Sequence, residues 1–576
     1  MKMKRILITS ALPYINGIKH LGNLVGSQLP ADLYARFMRA KGHQVTFICA
    51  TDEHGTPAEL AAKEQNTSTE RYCHEMWKVQ KNLSDQFYLS FDFFGRSSSK
   101  SNHQLTQDFA VSLEKQGLIK EVEEKQLYSR KDGRFLPDRY VIGTCPDCSY
   151  ERARGDQCEN CTRQLQGNEL ISPRSVISGS SKLELRITKH LYLMQSKLQD
   201  ALMKWINEKK DWPILTTSIA KKWLTDGEGL QDRSITRDLD WGIPVKKNGL
   251  AWKGMENKVF YVWFDAPIAY ISATVDWAKS SCENPDEWKT WWLTDHGADE
   301  VFYVQFMAKD NIPFHTLSFP ATLLGAQKSW KLVDYIKGFN WLTYEGGKFS
   351  TSMRRGIFMN DAIKVFPSDY WRWWLLSNAP ETSDSDFTWK SFQSCINKDL
   401  ADVLGNFVSR LIKFSKSKFG DEIPLGNNYG EIEEKTISEV LHQFKAYEDA
   451  MNRMDIRKSA ALLRRIWSIG NEYLQISAPW TSIKSDPDEA GKIVRFGFNL
   501  LNFYSDISKP FIPATSQKIK NSLKKSCDDS EWPEIDKITF SVLKGGESFL
   551  VIENLFSKIN DDQVTNLEMQ FSGLKN

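Results

Sequence analysis

Four cysteines between Cys145 and Cys161 restrict the fold of this chain more than any other feature. They read Cys145-Pro146-Asp147-Cys148, then nine residues that include Gly155, then Cys158-Glu159-Asn160-Cys161. A Cys-x-x-Cys turn aims two thiolates at one ion, and two such turns complete a tetrahedral four-thiolate site for zinc. All four positions are filled, so one structural Zn2+ per chain is expected rather than a catalytic ion with an open position. The alternative is a knuckle that has lost its metal. Disulfide frameworks belong to small secreted domains. Here the remaining cysteines, Cys49, Cys73, Cys282, Cys395 and Cys527, are scattered through a 576-residue chain.

That length implies several domains, because single cores stop growing near roughly 250–300 residues. No stretch approaches the ~18 uninterrupted apolar residues of a membrane span. The start, Met1-Lys2-Met3-Lys4-Arg5, is basic, but Ile6-Leu7-Ile8 is too short for a signal h-region. A cytoplasmic protein without a membrane partner is therefore expected. Net charge is only +2, so any nucleic-acid surface must be local.

The first fifty residues alternate strand, loop, helix and strand. Ile6–Thr9 is a short apolar run of the kind that forms a buried parallel strand. Leu24, Leu29, Leu33, Phe37 and Met38 recur at helical spacing from about Asn23 to Arg39, and Lys41-Gly42 closes the helix. Val45–Ala50 is the second strand, with Thr51-Asp52-Glu53-His54-Gly55 at its carboxyl end. Ligands of such βαβ units sit beyond the strand ends. From roughly 120 to 230 the sequence turns short, polar and turn-rich, as an insertion would. Strand-like runs return at Lys258–Trp263 and Val301–Phe306. After about 385, and clearly over 439–475, apolar residues fall at steps of three and four, which indicates a helical bundle.

The usual phosphate loops are absent. Neither Gly-x-Gly-x-x-Gly nor a Walker loop follows a strand, and in Gly346-Gly347-Lys348-Phe349-Ser350 the residue after the lysine is phenylalanine. The first crossover instead carries Pro13-Tyr14-Ile15-Asn16-Gly17 and His20-Leu21-Gly22-Asn23. A histidine and an amide bracketing a glycine at a helix N-terminus suit a phosphate. Lys348-Phe349-Ser350-Thr351-Ser352-Met353-Arg354-Arg355 is a cationic, hydroxyl-rich loop able to close over a polyphosphate. Taken singly, His20 reads as a helix cap and the second stretch as a solvated loop.

Together these two stretches resemble the paired signatures of the class I aminoacyl-tRNA synthetases. Further stretches are similar to the methionyl-tRNA synthetase family: Ala11-Leu12-Pro13-Tyr14, Thr51–Pro57, Arg237–Pro244, Val262–Tyr270, Lys309–His315 and Ala478-Pro479-Trp480. The matches run in family order from residue 11 to about 480, and the knuckle falls where that family carries zinc. The resemblance implies an α/β fold with a doubly wound, parallel, Rossmann-like sheet, a zinc-bearing insertion and a following all-α bundle. The expected division is 1–115 and 231–340 for the two catalytic halves and 116–230 for the insertion. It places the signature loop and stem-contact region in 341–385, the anticodon-binding bundle in 386–540 and a tail in 541–576.

The implied reaction activates L-methionine with ATP, entering with Mg2+, and transfers the methionyl group to the 3' end of tRNA(Met). Carried over by position, Leu12, Tyr14, Asp52, Trp263, Ala266, Pro267, Tyr270 and His315 form the amino-acid pocket. His20, Asn23, Lys309, Asp310, Lys348 and Thr351 attend ATP, with His20, Asn23, Lys348 and Thr351 as the catalytic set. Asn406, Arg410 and Trp480 read the anticodon. Lys413, Lys416 and Lys418, then Lys518, Lys520, Lys524 and Lys525, form two basic clusters suited to phosphates. Three departures stand out: Asn23 for the second histidine, Phe349 for methionine and Thr351 for the second lysine. Arg354 and Arg355 are close enough in sequence to replace that lysine. The rival readings are a synthetase for another apolar amino acid, a silent tRNA-binding relative, and a nucleotidyltransferase acting on a small metabolite. A monomer is expected.

Overall fold

The computed structural model describes residues 3–573, apart from 156, 157, 159, 162, 164, 228, 351, 352 and 527–530. Its centre is a five-stranded sheet in the order Tyr335–Phe339, Val301–Ala308, Arg5–Ser10, Gln44–Thr51, Phe93–Arg96. Every neighbouring pair is parallel. The chain winds outward from Arg5–Ser10 on one side, then returns to its other edge with Val301–Ala308. The crevice between those two strands is a topological switch point, where such sheets bind ligands. Side-chain alternation explains why the first strand reads as one apolar run: Ile6 and Ile8 enter the core on one face, Leu7 the core on the other.

The helix expected after the first strand spans Leu21–Ala40 as one rod with a π-wound segment at Leu24–Gln28. Gly42 closes it at φ +77°, a backbone region that glycine enters without steric cost. The run at Lys258–Trp263 behaves differently from expectation. Only Val259–Phe260 is strand, paired antiparallel with Thr236–Arg237, and Val262–Asp265 turns into a helix. Short apolar runs carry no period to separate the two states. Here burial decides, with Phe264 and Val262 packed inward.

The insertion is more regular than its polar sequence suggests. Ile119–Ser129 pairs antiparallel with Leu183–Leu193 over their whole length. Charged residues crowd the first of them (Lys120, Glu121, Glu123, Glu124 and Lys125), which hid the strands from an apolar-run reading. Between these strands lies the knuckle, cradled by Val141–Thr144, Ala153–Arg154 and Ile171–Ser175. The later half is helical, with Asn406–Phe419, Glu431–Asn452, Ile456–Ser477 and Pro487–Ser508 as its longest helices. One continuous core runs from Leu21–Ala40 through Trp371, Trp373 and Trp374 into that bundle. Among the described residues no helix is long and apolar enough to cross a membrane.

Candidate active site

The switch-point crevice opens into a cavity of about 570 Å3. Leu12, Tyr14, Asp52, Trp263, Ala266, Pro267, Tyr270 and His315 all line it, together with His20, Asn23, Asp310 and Lys348. Residues some three hundred positions apart in sequence thus share one chamber because the loops after the first and fourth strands of the sheet meet there. Thr351 lies outside the described residues. Lys309 belongs to the rim: its Nζ donates to Asp384 Oδ1 at 2.8 Å and sits 4.1 Å from the Trp341 ring centroid.

Asp52 closes the second strand and sits almost wholly buried at the cavity wall. Its Oδ1 has no hydrogen-bond partner among the described residues. Burial first, then the nearby Asp265 carboxylate, push the Asp52 carboxyl well above its ordinary range. Asp265 is itself held by His54, whose Nδ1 lies 2.5 Å from Oδ2. A buried carboxylate oxygen without a donor is expensive unless a cation completes it.

Deeper in, Tyr270 and His315 are committed to each other. His315 Nδ1 lies 2.8 Å from the Asn311 carbonyl, which can only accept, so the ring proton resides on Nδ1. Nε2 is then the acceptor for Tyr270 Oη–H at 2.9 Å. Burial drives the His315 pKa down to about 4, which keeps the ring neutral. The pair therefore offers a thioether no spare proton in this arrangement. Its value to a methionine side chain is the polarizable wall it forms with Trp263 and Phe314, whose rings lie 4.6 Å apart.

His20 caps the helix that follows it. Asn23 N–H donates to His20 Nδ1, and His20 N–H donates to Asn23 Oδ1, both at 3.3 Å. This reciprocal box leaves His20 Nε2–H and Asn23 Nδ2 as donors, so asparagine fills the second signature position without losing function as a donor. Burial, then the Lys19 charge, lower the His20 pKa to about 3, so the ring stays neutral. At Gly22 a Cβ would stand 3.0 Å from His20 Nδ1, so a side chain there would press on the capping ring.

The two signatures touch. The Phe349 ring stacks on His20 with centroids 4.5 Å apart and planes 10° from parallel. The phenylalanine departure is thus a stacking partner. Ser350 and Arg355 exchange backbone hydrogen bonds at 3.0 and 2.9 Å. Arg355 spends its guanidinium on the carbonyls of Lys348 and Glu345, so it braces the loop rather than taking the place of a phosphate-binding lysine.

Sequence reasoning missed Lys19, Trp341 and Asp384, which also line the cavity. Lys19 was signalled by its position beside His20. Trp341 and Asp384 carried no motif, and only the fold brings them to the rim.

The knuckle brings Cys145, Cys148, Cys158 and Cys161 together with all four Sγ atoms within 4.8 Å of one another. Cys145–Cys161 and Cys148–Cys158 are 3.8 and 3.6 Å apart. Sulfurs bound tetrahedrally at about 2.3 Å lie about 3.8 Å apart, so the cluster has the dimensions of a four-thiolate site and not of disulfides. Asn160 Nδ2 lies 3.5 Å from Cys148 Sγ.

On the helical half, Asn406 and Arg410 share one face, and the Arg410 guanidinium lies 4.7 Å from the half-exposed Trp480 ring. Two of the four lysines of the second basic cluster are spent on carboxylates. Lys520 is buried against Asp506 at 2.8 Å, Lys525 pairs with Glu547 at 2.8 Å, and Lys524 donates to Ser548 at 2.7 Å. In the first cluster Lys416 pairs with Asp421.

A doubly wound sheet with a His-Leu-Gly-Asn helix start facing a Lys-Phe-Ser loop across its switch point defines a class I aminoacyl-tRNA synthetase. Residues 6–412 match the family described as tRNA synthetases class I (M), and 423–576 match the anticodon binding domain of methionyl tRNA ligase. The chain belongs to the methionyl-tRNA ligase family. Methionine–tRNA ligases of Dinoroseobacter shibae and Ruegeria pomeroyi are 61% and 60% identical to it, over 100% of both chains in each case. A solved Mycobacterium tuberculosis methionyl-tRNA synthetase in complex with methionyl-adenylate superposes with a TM-score of 0.76 at 20% identity. That match covers 96% of this chain and 100% of the other, and confirms the fold.

Proposed function

We propose that the cavity is the site at which this methionine–tRNA ligase makes methionyl-adenylate and passes the methionyl group to the 3' end of tRNA(Met). The carrying observation is the orphaned, buried Asp52 Oδ1 at the wall of an aromatic chamber that also holds His20 and Lys348. Asp52 anchors the α-ammonium of methionine, which leaves the carboxylate free. Tyr14, Trp263, Tyr270 and His315 surround the side chain, and Leu12, Ala266 and Pro267 complete its apolar walls.

ATP, entering with Mg2+, lies against His20, Asn23 and Asp310, with Lys348 and Thr351 from the loop and Lys309 at the rim. One methionine carboxylate oxygen attacks the α-phosphorus. The new P–O bond forms as the bond to the β-phosphate oxygen breaks, and pyrophosphate leaves with the electron pair. No general base is needed, because the nucleophile is already ionised. Catalysis consists of alignment together with charge stabilisation by neutral His20 Nε2–H and cationic Lys348. In the second step the terminal ribose hydroxyl of tRNA attacks the methionyl carbonyl carbon; the ester C–O bond forms as the bond from that carbon to the phosphate oxygen breaks, and AMP leaves with the electron pair while its phosphate takes up the hydroxyl proton. Methionine-dependent exchange of pyrophosphate into ATP tests the first step. Exchange supported equally by leucine or valine, or by no amino acid, would sink this assignment.

The four thiolates would hold zinc as a structural clip that orders the insertion. We expect about one zinc per purified chain, and Cys148→Ser to lose it, with a large fall in tRNA charging and methionine-dependent exchange largely retained. Metal analysis beside the two assays checks this. Full charging by a zinc-free variant would discard the clip.

Asn406, Arg410 and Trp480 are proposed to read the anticodon, with the indole stacking on a splayed base and the other two bonding base edges. Stacking of this kind is worth about 1–3 kcal/mol per base. Trp480→Ala should therefore raise KM for tRNA by roughly 10- to 100-fold while exchange stays unchanged. Unaltered KM for tRNA would remove Trp480 from the interface.

A further inference from the structure

The helix behind the anticodon-reading face carries an amide that none of the family signatures includes. We propose that Asn471 is a positioning residue that fixes which end of the Asn406 amide faces the tRNA, and so lets this chain tell amino-bearing from keto-bearing anticodon bases. The inference rests on the reading of Asn406 and Trp480 as anticodon contacts.

The argument starts from a backbone carbonyl. Residues Ile396–Gly405 are wound as a π-helix immediately before Asn406. In this wide winding the Val403 carbonyl is reached by a side chain, Asn471 Nδ2, at 2.8 Å. A carbonyl can only accept, so the group donating to it must be the amide nitrogen of Asn471. Its Oδ1 is then turned toward Asn406, whose Nδ2 donates to it at 3.1 Å. The orientation of Asn406 follows from that of Asn471, and both follow from Val403.

One Asn406 Nδ2 hydrogen is thereby engaged, and no described residue donates to Asn406 Oδ1. The exposed amide presents an acceptor at a defined place, beside the purely donating guanidinium of Arg410. Arg410 is steadied in the same way: Nη2 lies 3.4 Å from Gln475 Oε1, one turn beyond Asn471 on the same helix. Two side chains of Ile456–Ser477 thus back two of Asn406–Phe419, rung for rung. A free amide could rotate to suit either class of base edge, because cytosine and adenine carry an amino donor where uracil and guanine carry a keto acceptor. An amide locked from behind cannot exchange its ends without breaking the Asn471 bond, and so distinguishes them.

The test compares tRNA transcripts in which each anticodon base is exchanged for its amino or keto counterpart of the same ring size, cytosine with uracil and adenine with guanine. Asn471→Leu keeps about the same size but has no oxygen to accept from Asn406 and no hydrogen to give Val403. We expect it to shrink the discrimination in kcat/KM at one anticodon position by about tenfold, with methionine-dependent exchange unchanged. Asn406→Ala should remove discrimination at that same position, and adding Asn471→Leu to it should change nothing further. Asn471→Ala provides a second variant in case the leucine disturbs the bundle. If both Asn471 variants keep the discrimination that Asn406→Ala loses, the positioning role is overturned. If Asn406→Ala and Trp480→Ala leave charging and discrimination untouched, the anticodon reading itself fails, and this inference with it.

Discussion

Replacing Asp52 by alanine is expected to lower kcat/KM for methionine by about 10^2- to 10^3-fold, since truncating one partner of a buried charge pair costs roughly 2–5 kcal/mol. The loss should fall mainly on the KM for methionine, with the KM for ATP nearly unchanged. The pH dependence gives the stricter test. In the empty cavity burial, then Asp265, hold the Asp52 carboxyl well above its ordinary range. An incoming ammonium favours the ionised form, so binding must expel the proton that the free site retains in acid. Methionine affinity should accordingly fall as pH drops through the raised Asp52 pKa, and Asp52→Asn should flatten that profile. A wild-type profile that stays level, or an alanine variant with ordinary methionine KM, would contradict the anchor role.

Removing Arg372 should damage the whole fold rather than the chemistry. The side chain is fully buried within the run Trp371-Arg372-Trp373-Trp374. It pairs with Asp32 at 2.7 Å and donates to the carbonyls of Phe87, Pro510 and Phe511 at 3.0, 2.8 and 2.9 Å. One guanidinium thus ties the helix after the first strand to the helical half. Arg372→Ala leaves three buried carbonyls without their donor and takes from buried Asp32 one of its two guanidinium partners, a loss of about 3–5 kcal/mol. A lower denaturation midpoint, with Asp32→Asn less severe, is the expected outcome. A midpoint within experimental error of wild type would refute the link. Burial works to raise the Asp32 carboxyl, but Arg36, Arg372 and Ser90 together hold it below its ordinary value. Its contribution is therefore present above the normal carboxyl range and disappears as pH falls through the lowered pKa.

Local signals were legible wherever one residue type has one physical use. The cysteine spacing announced a four-thiolate cluster, and the apolar run at Ile6–Thr9 announced a strand buried on both faces. The helical periodicity of 439–475 is realised in Glu431–Asn452 and Ile456–Ser477. The strands of the insertion were not legible, because their charged faces broke the apolar pattern. Lys258–Trp263 misled for the opposite reason: from Val259 to Trp263 no charged residue interrupts it, so it has no period. Lys520 reads as a surface cation in a lysine-rich stretch and turns out to be buried on Asp506.

The order of residues along the chain was enough to point to the family, to many of the residues that line the cavity and to the spacing of the four-cysteine cluster, since each rests on residue identity at short range. Tertiary structure alone decided the rest: the Phe349–His20 stack, the Tyr270–His315 hydrogen bond, the employment of Arg355 inside its own loop, and the ladder from Val403 to Asn406. These are contacts between distant segments, in which a donor is consumed or left over according to what packs beside it. A hydrogen bond has one direction and a buried group few neighbours, so what each side chain has left to offer a ligand is known only once its partners are in place.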